Sequence, residues 1–523
     1  MNSMNESAVG IKGQEIVDRA YELIEMVESA YQQGTAVHEL EKGLFRKLLE
    51  MGYQALRLLF ELYGACEEGE QVELSDGRVV KRLEQLHARA YQSVFGVHEL
   101  ERWVYGSREG QKLEYIPLDV RLQLPKSKFS YLLQDWDQSL AVETPYAEVN
   151  EILKRILGLS VSVHSLERTN RSLGQSVESY WDNQVEIEPA QDEQLVVGTA
   201  DGKGVVMRKS AEEKAVDEPS EPDTHKPACI ESKAPKGHSG KKKMAILGAA
   251  YTIEPNPRTP EQVLEALFQT KNQESSQETA KPRPKPLNKH IRASLQRDEA
   301  DTLQPAREEI CQWLAEEYKQ RNPSGKHRQI LIMDGEEKLW EMGEALQPDG
   351  SIIEILDLLH ASSYVWKAVQ ALYPQRTIQE QTALVKERIG RILHGQVQSV
   401  IRGFRWQATY QQLSDSQRKP VDKACGYLEK NAHRMRYHEY LAAGYPIASG
   451  VIEGACRHVV VDRMEGTGMR WVMQGAQSML GLRCIHINGH WDHFMKFHIE
   501  QEQKEIYPVR AANDSVFHWP MTA

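Results

Sequence analysis

Gln194–Met207 reads QLVVGTADGKGVVM, and the structure assigned to this stretch decides what the rest of the chain can be. Leu195, Val196 and Val197 open a short β-strand that runs into Asp201. An Asp-Gly pair is ordinarily a turn. The pattern recurs in RQILIMDG, where Ile330–Met333 lead into Asp334 and Gly335. Two acids, each directly after an apolar run, are a rarer arrangement, and the strand ends of an open α/β sheet are where ligands bind. MAILGAAYTI resumes the strand pattern from Met244, and SIIEIL ends at Asp357 before the helix LLHASSYVWKAVQAL. The order strand, strand, helix, strand, strand, helix predicts a mixed α/β sheet.

Working outward, residues 1–190 read as mostly helical. QEIVDRAYELIEMVESAY and EKGLFRKLLEMGYQALRLLFELYG repeat apolar residues at three and four. YQSVFGVHELERWVYG, followed by KLEYIPLD, predicts a hairpin. Over 146–174, a helix ending at Gly158, a short turn and a second helix from Ser162 give helix-turn-helix spacing. His164, Ser165, Arg168, Asn170 and Arg171 are then candidates to face a DNA groove, although a helix pair with a Gly turn is also a common packing unit. The catalytic part is expected over 191–372 and 447–500, split by an all-helical insertion over 373–446 and followed by a tail, 501–523. The stretch 209–243 is rich in Pro, Ser, Glu and Lys and predicts disorder. A second polar loop covers about 271–288.

With 523 residues, 40% apolar and 27% charged, the composition is that of a globular protein of several domains. Six scattered cysteines with no C-x-x-C pair argue against a zinc site or a disulfide framework. No apolar run is long enough for a membrane span and no signal-peptide core is present, so a cytoplasmic location is expected. The net charge of −11 is unevenly placed: Ala371–Glu500 holds 17 Lys+Arg against 11 Asp+Glu. A basic C-terminal third on an acidic body permits a local polyanion-binding surface.

PIASGVIEGACRH, from Pro446 to His458, sets Glu453 among Gly450, Gly454 and Ala455. By itself this predicts an exposed i,i+4 pair with Arg457, worth about 0.2–0.5 kcal/mol. Beside Asp201 and Asp334 it becomes a third acid. Two carboxylates about 4 Å apart repel by about 4 kcal/mol at an effective dielectric near 20, so three require a cation. Oxygen ligands without Cys or His select Mg²⁺ or Mn²⁺. Two such ions can activate a water or a 3′-hydroxyl and stabilise the leaving oxygen of a phosphodiester. No phosphate loop, G-x-S-x-G elbow or H-E-x-x-H helix competes with this reading. Arg457, Arg463 and Arg470 follow as candidate phosphate contacts, with ion pairs to Asp462 and Glu465 as the alternative; Trp471 and Trp491 are expected in the core.

The strings TADGKGVVM, KKKMAILGAAYTIEP, LIMDGEEKLW, EILDLLHASSYVWKA, YPIASGVIEGACRHVVVDRMEGTGMRW and LGLRCIHINGHWD together resemble the catalytic half of bacterial insertion-sequence transposases of the ISKra type, relatives of the Mutator-like group. IPLDVRLQLP matches more loosely upstream. The resemblance implies an RNase H-like fold with an Asp-Asp-Glu triad on Asp201, Asp334 and Glu453, using two Mg²⁺ or Mn²⁺ ions. It also implies an Asp-x-x-His signature, here Asp357 and His360, in support. In an RNase H-like sheet the fourth strand lies beside the first, which sets Asp334 nearest Asp201 and Asp357 to the side. Many relatives carry a Cys-rich zinc segment before the IPLD-like motif; this chain has no cysteine there. The implied activity is cleavage at the element's terminal inverted repeats and strand transfer into target DNA, by a dimer or higher oligomer at the nucleoid. An RNase H-like nuclease that never joins ends, or a non-catalytic DNA-binding descendant, are the alternatives.

Overall fold

The computed structural model describes residues 2–106, 114–208, 242–268, 283–296, 306–346, 351–466 and 468–508. The chain divides into two compact units, Met1–Ser176 with Trp491–Ala523, and Val177–His490. This differs from the expected division, which drew a boundary at 190 and kept everything to 500 with the catalytic part. The helix Trp491–Ile506 belongs to the first unit, where Trp491 Nε1 donates to Asp135 (2.7 Å) and the Tyr131 hydroxyl donates to Glu502 (2.7 Å).

The first unit opens with a helical hairpin, α1 (Asn2–Gln33) and α2 (Val37–Tyr63), turned at Gly34 with φ +65°. Strands β1 (Gln71–Glu73), β2 (Val79–Arg82) and β5 (Tyr105–Gly106) make a small antiparallel sheet. Two to four residues are too few to show alternation, and the sequence reading missed this sheet. Between them β3 (His87–Ser93) and β4 (Gly96–Arg102) form the expected hairpin, in register from His87↔Arg102 to Ser93↔Gly96. The IPLD motif starts α3 (Pro117–Leu122), and its buried Asp119 accepts from Arg89 (2.7 Å) and Arg102 (2.5 Å).

Helices α4 (Tyr131–Ala141), α5 (Tyr146–Leu157) and α6 (Val163–Gly174) close around Leu133, Val149, Leu153 and Leu166. Gly158, at φ +70°, ends α5, and Ser162 caps α6 by accepting from Ser165 N. The helix-turn-helix spacing is therefore present. Asn170 is a correction: it is wholly buried and its Nδ2 donates to Gln138 (3.0 Å), so it holds α6 to α4 and faces no groove. His164 and Arg168 are exposed, whereas Arg171 is half-buried with its Nε donating to the Glu167 carbonyl (3.3 Å).

The second unit begins with α7 (Val177–Gln184) and is built on a mixed five-stranded sheet, β6 (Leu195–Val206), β7 (Lys242–Ile253), β8 (Leu287–Leu295), β9 (Gln329–Met333) and β10 (Ile353–Leu356). The spatial order is β10-β9-β6-β7-β8. The first three strands form an antiparallel meander; β9 runs parallel to β6, and β10 parallel to β9. Strand β8 lies partly where a loop was expected, because LNKHIRASL has a polar, exposed first half. Strand β6 does not stop at Asp201 either. It continues to Val206, with Asp201 opposite Leu247. Of the stretch expected to be disordered, 209–241 lies outside the described residues, and Lys242 and Lys243 already belong to β7.

Helix α8 (Pro260–Phe268) follows the meander's second strand, and α9 (Ala306–Arg321) crosses the sheet. Gly198 and Gly248 admit it. A Cβ on Gly248 would lie 2.8 Å from Ile310 and Trp313, and one on Gly198 would overlap Tyr318, whose hydroxyl donates to the Ile330 carbonyl (2.7 Å). After α10 (Glu337–Leu346) and α11 (Leu358–Leu372) come α12 (Ile378–Leu393), α13 (Val397–Tyr410), α14 (Asp415–Lys430) and α15 (Tyr437–Ala442), the expected helical block. Its Val385, Ile389, Phe404 and Leu428 share one apolar core with Val196, Val197 and Ile330 of the strands. The block is packed into the sheet's own core. The helix carrying Glu453 is not the last long helix as expected. It is α16 (Gly450–Ala455), which runs through a π-helical turn, Cys456–Val461, into a final turn at Asp462–Met464; α17 (Met473–Ile487) is longer. Among the described residues no helix is long and apolar enough to cross a membrane.

Candidate active site

The register of the parallel strands fixes the geometry of the acids. Ala200 pairs with Met333 and Met333 with Leu356, so the next residues, Asp201, Asp334 and Asp357, stand level on three neighbouring strands. Adjacent strands are about 4.8 Å apart, and level residues of parallel strands point to the same face. Three aspartates therefore form a row across β6, β9 and β10.

Their environments differ. Asp357 is 2% exposed and caps α11: its Oδ1 accepts from Leu359 N (2.7 Å) and His360 N (3.0 Å). Its Oδ2 accepts from Ser449 N (2.6 Å) and Ser449 Oγ (2.5 Å). Burial opposes ionisation, but the bonds from His360 and Ser449 outweigh it and hold the carboxyl down at about 2. With Leu358 N donating to the Ile447 carbonyl (3.0 Å), these bonds fasten the segment just before α16 to the end of β10.

Asp334 has one donor, Glu336 N at 3.0 Å. Its carboxyl is pushed up, chiefly by burial and further by the neighbouring charges of Asp201 and Asp357, while His360 pulls the other way. Of the two Asp-Gly pairs, Asp334-Gly335 is a bend, with the Asp334 side chain accepting from Glu336 N two residues on, whereas Asp201-Gly202 is not a turn. Gly202 lies in the β6–β7 ladder, and a Cβ on Gly335 would overlap the ring of Tyr427, which stacks on Tyr364 at 3.7 Å. Nothing in the sequence ties Tyr427, in the helical block, to this site.

Asp201 is half-buried; its Oδ1 accepts from Gly202 N (2.7 Å) and its Oδ2 from the Cys456 thiol (3.4 Å). Burial and the charge of Asp201 push the Cys456 thiol far up, so the sulfur keeps its proton and donates. Cys456 lies one helical turn after Glu453, which the i,i+3 spacing could have signalled. His360, about half-exposed, is raised first by its bond with Asp357 and then by the charges of Asp334 and Asp201.

Glu453 is exposed on α16, which packs beside β6 and β7. The expected pair with Arg457 does not form: Arg457 Nε lies 3.6 Å from Asp462. Added Cβ atoms at Gly450 and Gly454 would meet nothing within 4 Å, so the surface beside Glu453 is open. The structure brings Asp201, Asp334, Asp357 and His360 together, with Cys456 joining them from the helix of Glu453. The charge of Glu453 adds to that of Asp201 in raising the Cys456 thiol, and among the described residues no three acidic, His or Cys side chains are grouped so as to hold a metal ion. Arg463 is a second correction. It is 1% exposed and lies over the Trp471 ring at 5.2 Å, so it cannot reach a phosphate from this position; Arg457 and Arg470 are exposed. Trp471 and Trp491 are buried, as expected.

Compared with protein-family models and with curated protein sequences, the chain matches neither.

Proposed function

We propose that this chain is a DNA transposase with an RNase H-like catalytic unit, in which Asp201, Asp334 and Glu453 are the acids that cleave and rejoin phosphodiesters. The observation that carries the reading is the level placement of Asp201 and Asp334 on adjacent parallel strands, with the helix of Glu453 packed beside β6. The strand order supports it: the fourth strand lies beside the first, and the fifth lies outside it. Asp334, short of donors and pushed up by burial and by Asp201, fits a site that takes a cation. Asp201 and Asp334, completed by Glu453, would hold Mg²⁺ or Mn²⁺, whose role when bound is to acidify the attacking hydroxyl and neutralise the leaving oxygen.

The remaining side chains position and balance charge. Asp357 clamps Ser449, four residues before Glu453, and so sets where α16 begins. His360, whose imidazole the acids bias toward its protonated form, stands beside them. The Cys456 thiol steadies Asp201. Exposed Arg470, and Arg457 once it leaves its partner Asp462, take phosphates flanking the scissile bond, while His164, Arg168 and Arg171 on α6 carry recognition of the element's ends.

The test uses full-length protein, Mg²⁺ and duplex DNA carrying the ends that flank its gene. Wild type nicks the ends and joins them to a second duplex. Glu453→Gln loses at least 100-fold in nicking with gel-shift affinity unchanged. Nicking at wild-type rate in Glu453→Gln would remove Glu453 from the site. Nicking without joining would make the protein a nuclease instead.

A further inference from the structure

Strand β6 loses its neighbour on one side just where the acids begin. Its pairing with β9 ends at Ala200↔Met333, and the next contact on that side is the bridge from Met207 to Trp471. On the other side β7 pairs with every residue from Asp201 to Val205, with no bulge. Along a regular strand, alternate residues turn both N–H and C=O to the same side. Val196 N donates to the Arg328 carbonyl (3.0 Å), and the Val206 carbonyl accepts from Trp471 N (3.0 Å), so the even-numbered residues face the β9 side. Gly202 N is answered there by Asp201 Oδ1. Gly204 N has no acceptor among the described residues.

Lys203, between these glycines, turns its side chain to the same face as Asp201, two residues away. Across from it on β7 stands Ala245, and among the described residues no hydrogen bond or ion pair holds its half-buried side chain. Its charge acts on the Cys456 thiol, against that of Asp201, which sets it on the face that α16 and the π turn cover. Other cations around this ribbon are engaged. Lys242 lies 3.7 Å from Glu465, and Arg208 Nε donates to the Arg470 carbonyl (3.2 Å). A strand edge open to water is ordinary. An open edge whose unanswered N–H adjoins an unpaired lysine offers an anion a charged donor and a neutral one together.

We propose that Lys203 and Gly204 N–H form a phosphate subsite, which holds the DNA backbone beside the bond being cut. The inference rests on the function proposed above and names a part of its substrate contact. Strand residues rise about 3.3 Å each, so the subsite lies about 7–10 Å beyond Asp201 along β6. That is too far for the phosphate at the acids and suits one further along the same DNA strand. Asp201, Asp334 and Glu453 repel a polyanion, and Lys203 offsets part of that repulsion where the backbone comes closest.

Fluorescence anisotropy tests it, using full-length protein, duplex carrying the ends that flank its gene and no divalent ion, so that binding is read apart from cleavage. Lys203→Gln weakens binding about tenfold and lowers the slope of log affinity against log salt by about 1. Lys203→Arg restores both, and Lys242→Gln, whose charge already has a partner, changes each by less than half as much. A single uncharged methylphosphonate is then moved along the cleaved strand. At one phosphate beside the cleavage site it weakens wild type and leaves Lys203→Gln unchanged, a coupling that a merely structural lysine would not produce. Wild-type affinity and slope in Lys203→Gln, or additive penalties at every phosphate, would overturn the proposal. Duplex that is bound and never nicked in Mg²⁺ would remove the catalytic reading and leave the subsite to be decided by the salt slope. A wild type that binds no duplex would overturn both.

Discussion

The ends of β9 and β10 carry the same residue at the same level, and the two aspartates could hardly be treated more differently. Asp357 is closed: four donors from α11 and Ser449 occupy both its oxygens. Asp334, one strand closer to Asp201, has a single backbone donor and two acidic neighbours. A carboxylate whose acceptor sites are filled by fixed protein donors is a structural clamp. One held in a half-buried place with a single backbone donor leaves acceptor sites open to a ligand. The row of three acids thus separates into a brace and a working end.

The largest effect that could break this contrast is on catalysis. Asp334→Asn is expected to lower Mg²⁺-dependent nicking by at least 100-fold. Its melting temperature in metal-free buffer should equal or exceed that of wild type, since the substitution removes a repelled charge. A destabilised Asp334→Asn enzyme that still nicks would assign Asp334 to the scaffold.

Asp357→Asn is expected to do the reverse to stability. The one amide oxygen cannot serve both the α11 cap N–H groups and the Ser449 pair, and each buried donor left without its acceptor costs about 1–3 kcal/mol. Urea unfolding should read this as a lower midpoint, with some nicking retained below the melting temperature. An unchanged midpoint would mean that the clamp contributes nothing.

A smaller, sharper test is the pH dependence of that difference. The Asp357 carboxyl lies near 2 in the fold against a usual value of 3.8. A depressed acid stabilises the fold above its unfolded value and stops doing so as pH falls through its folded one. The linked part of the gap between wild type and Asp357→Asn, on the order of 2 kcal/mol, is therefore full above about pH 5 and fades toward pH 2. A gap constant over that range would show that ionisation of Asp357 is not its source.

The sequence made the placement of these acids partly legible. Apolar runs ending in Asp334 and Asp357 revealed β9 and β10, because buried parallel strands are nearly continuous in hydrophobic residues. Asp201 was located, but as a strand end, since Asp-Gly looks like a turn until the partner strand shows the ladder passing through it. The polar first half of β8 hid the third strand. The clamp from Asp357 to Ser449 and the ring of Tyr427 over Gly335 were invisible, because each joins segments far apart in the chain whose meeting is set by packing. Arg463 looked like its neighbours Arg457 and Arg470; only the fold stacks it on Trp471. Exposure, unlike residue type, cannot be read from a basic run on a short helix with an irregular π turn.

The most direct test of the distinction between the two acids is a manganese titration of the folded protein without DNA, followed by the electron paramagnetic resonance signal of free Mn²⁺. Wild type and Asp357→Asn, the latter kept below its melting temperature, should take up the ion with affinities within a few-fold of each other, and Asp334→Asn should bind at least tenfold more weakly. Loss of binding in Asp357→Asn with full binding in Asp334→Asn would contradict the account and exchange the roles of brace and ligand.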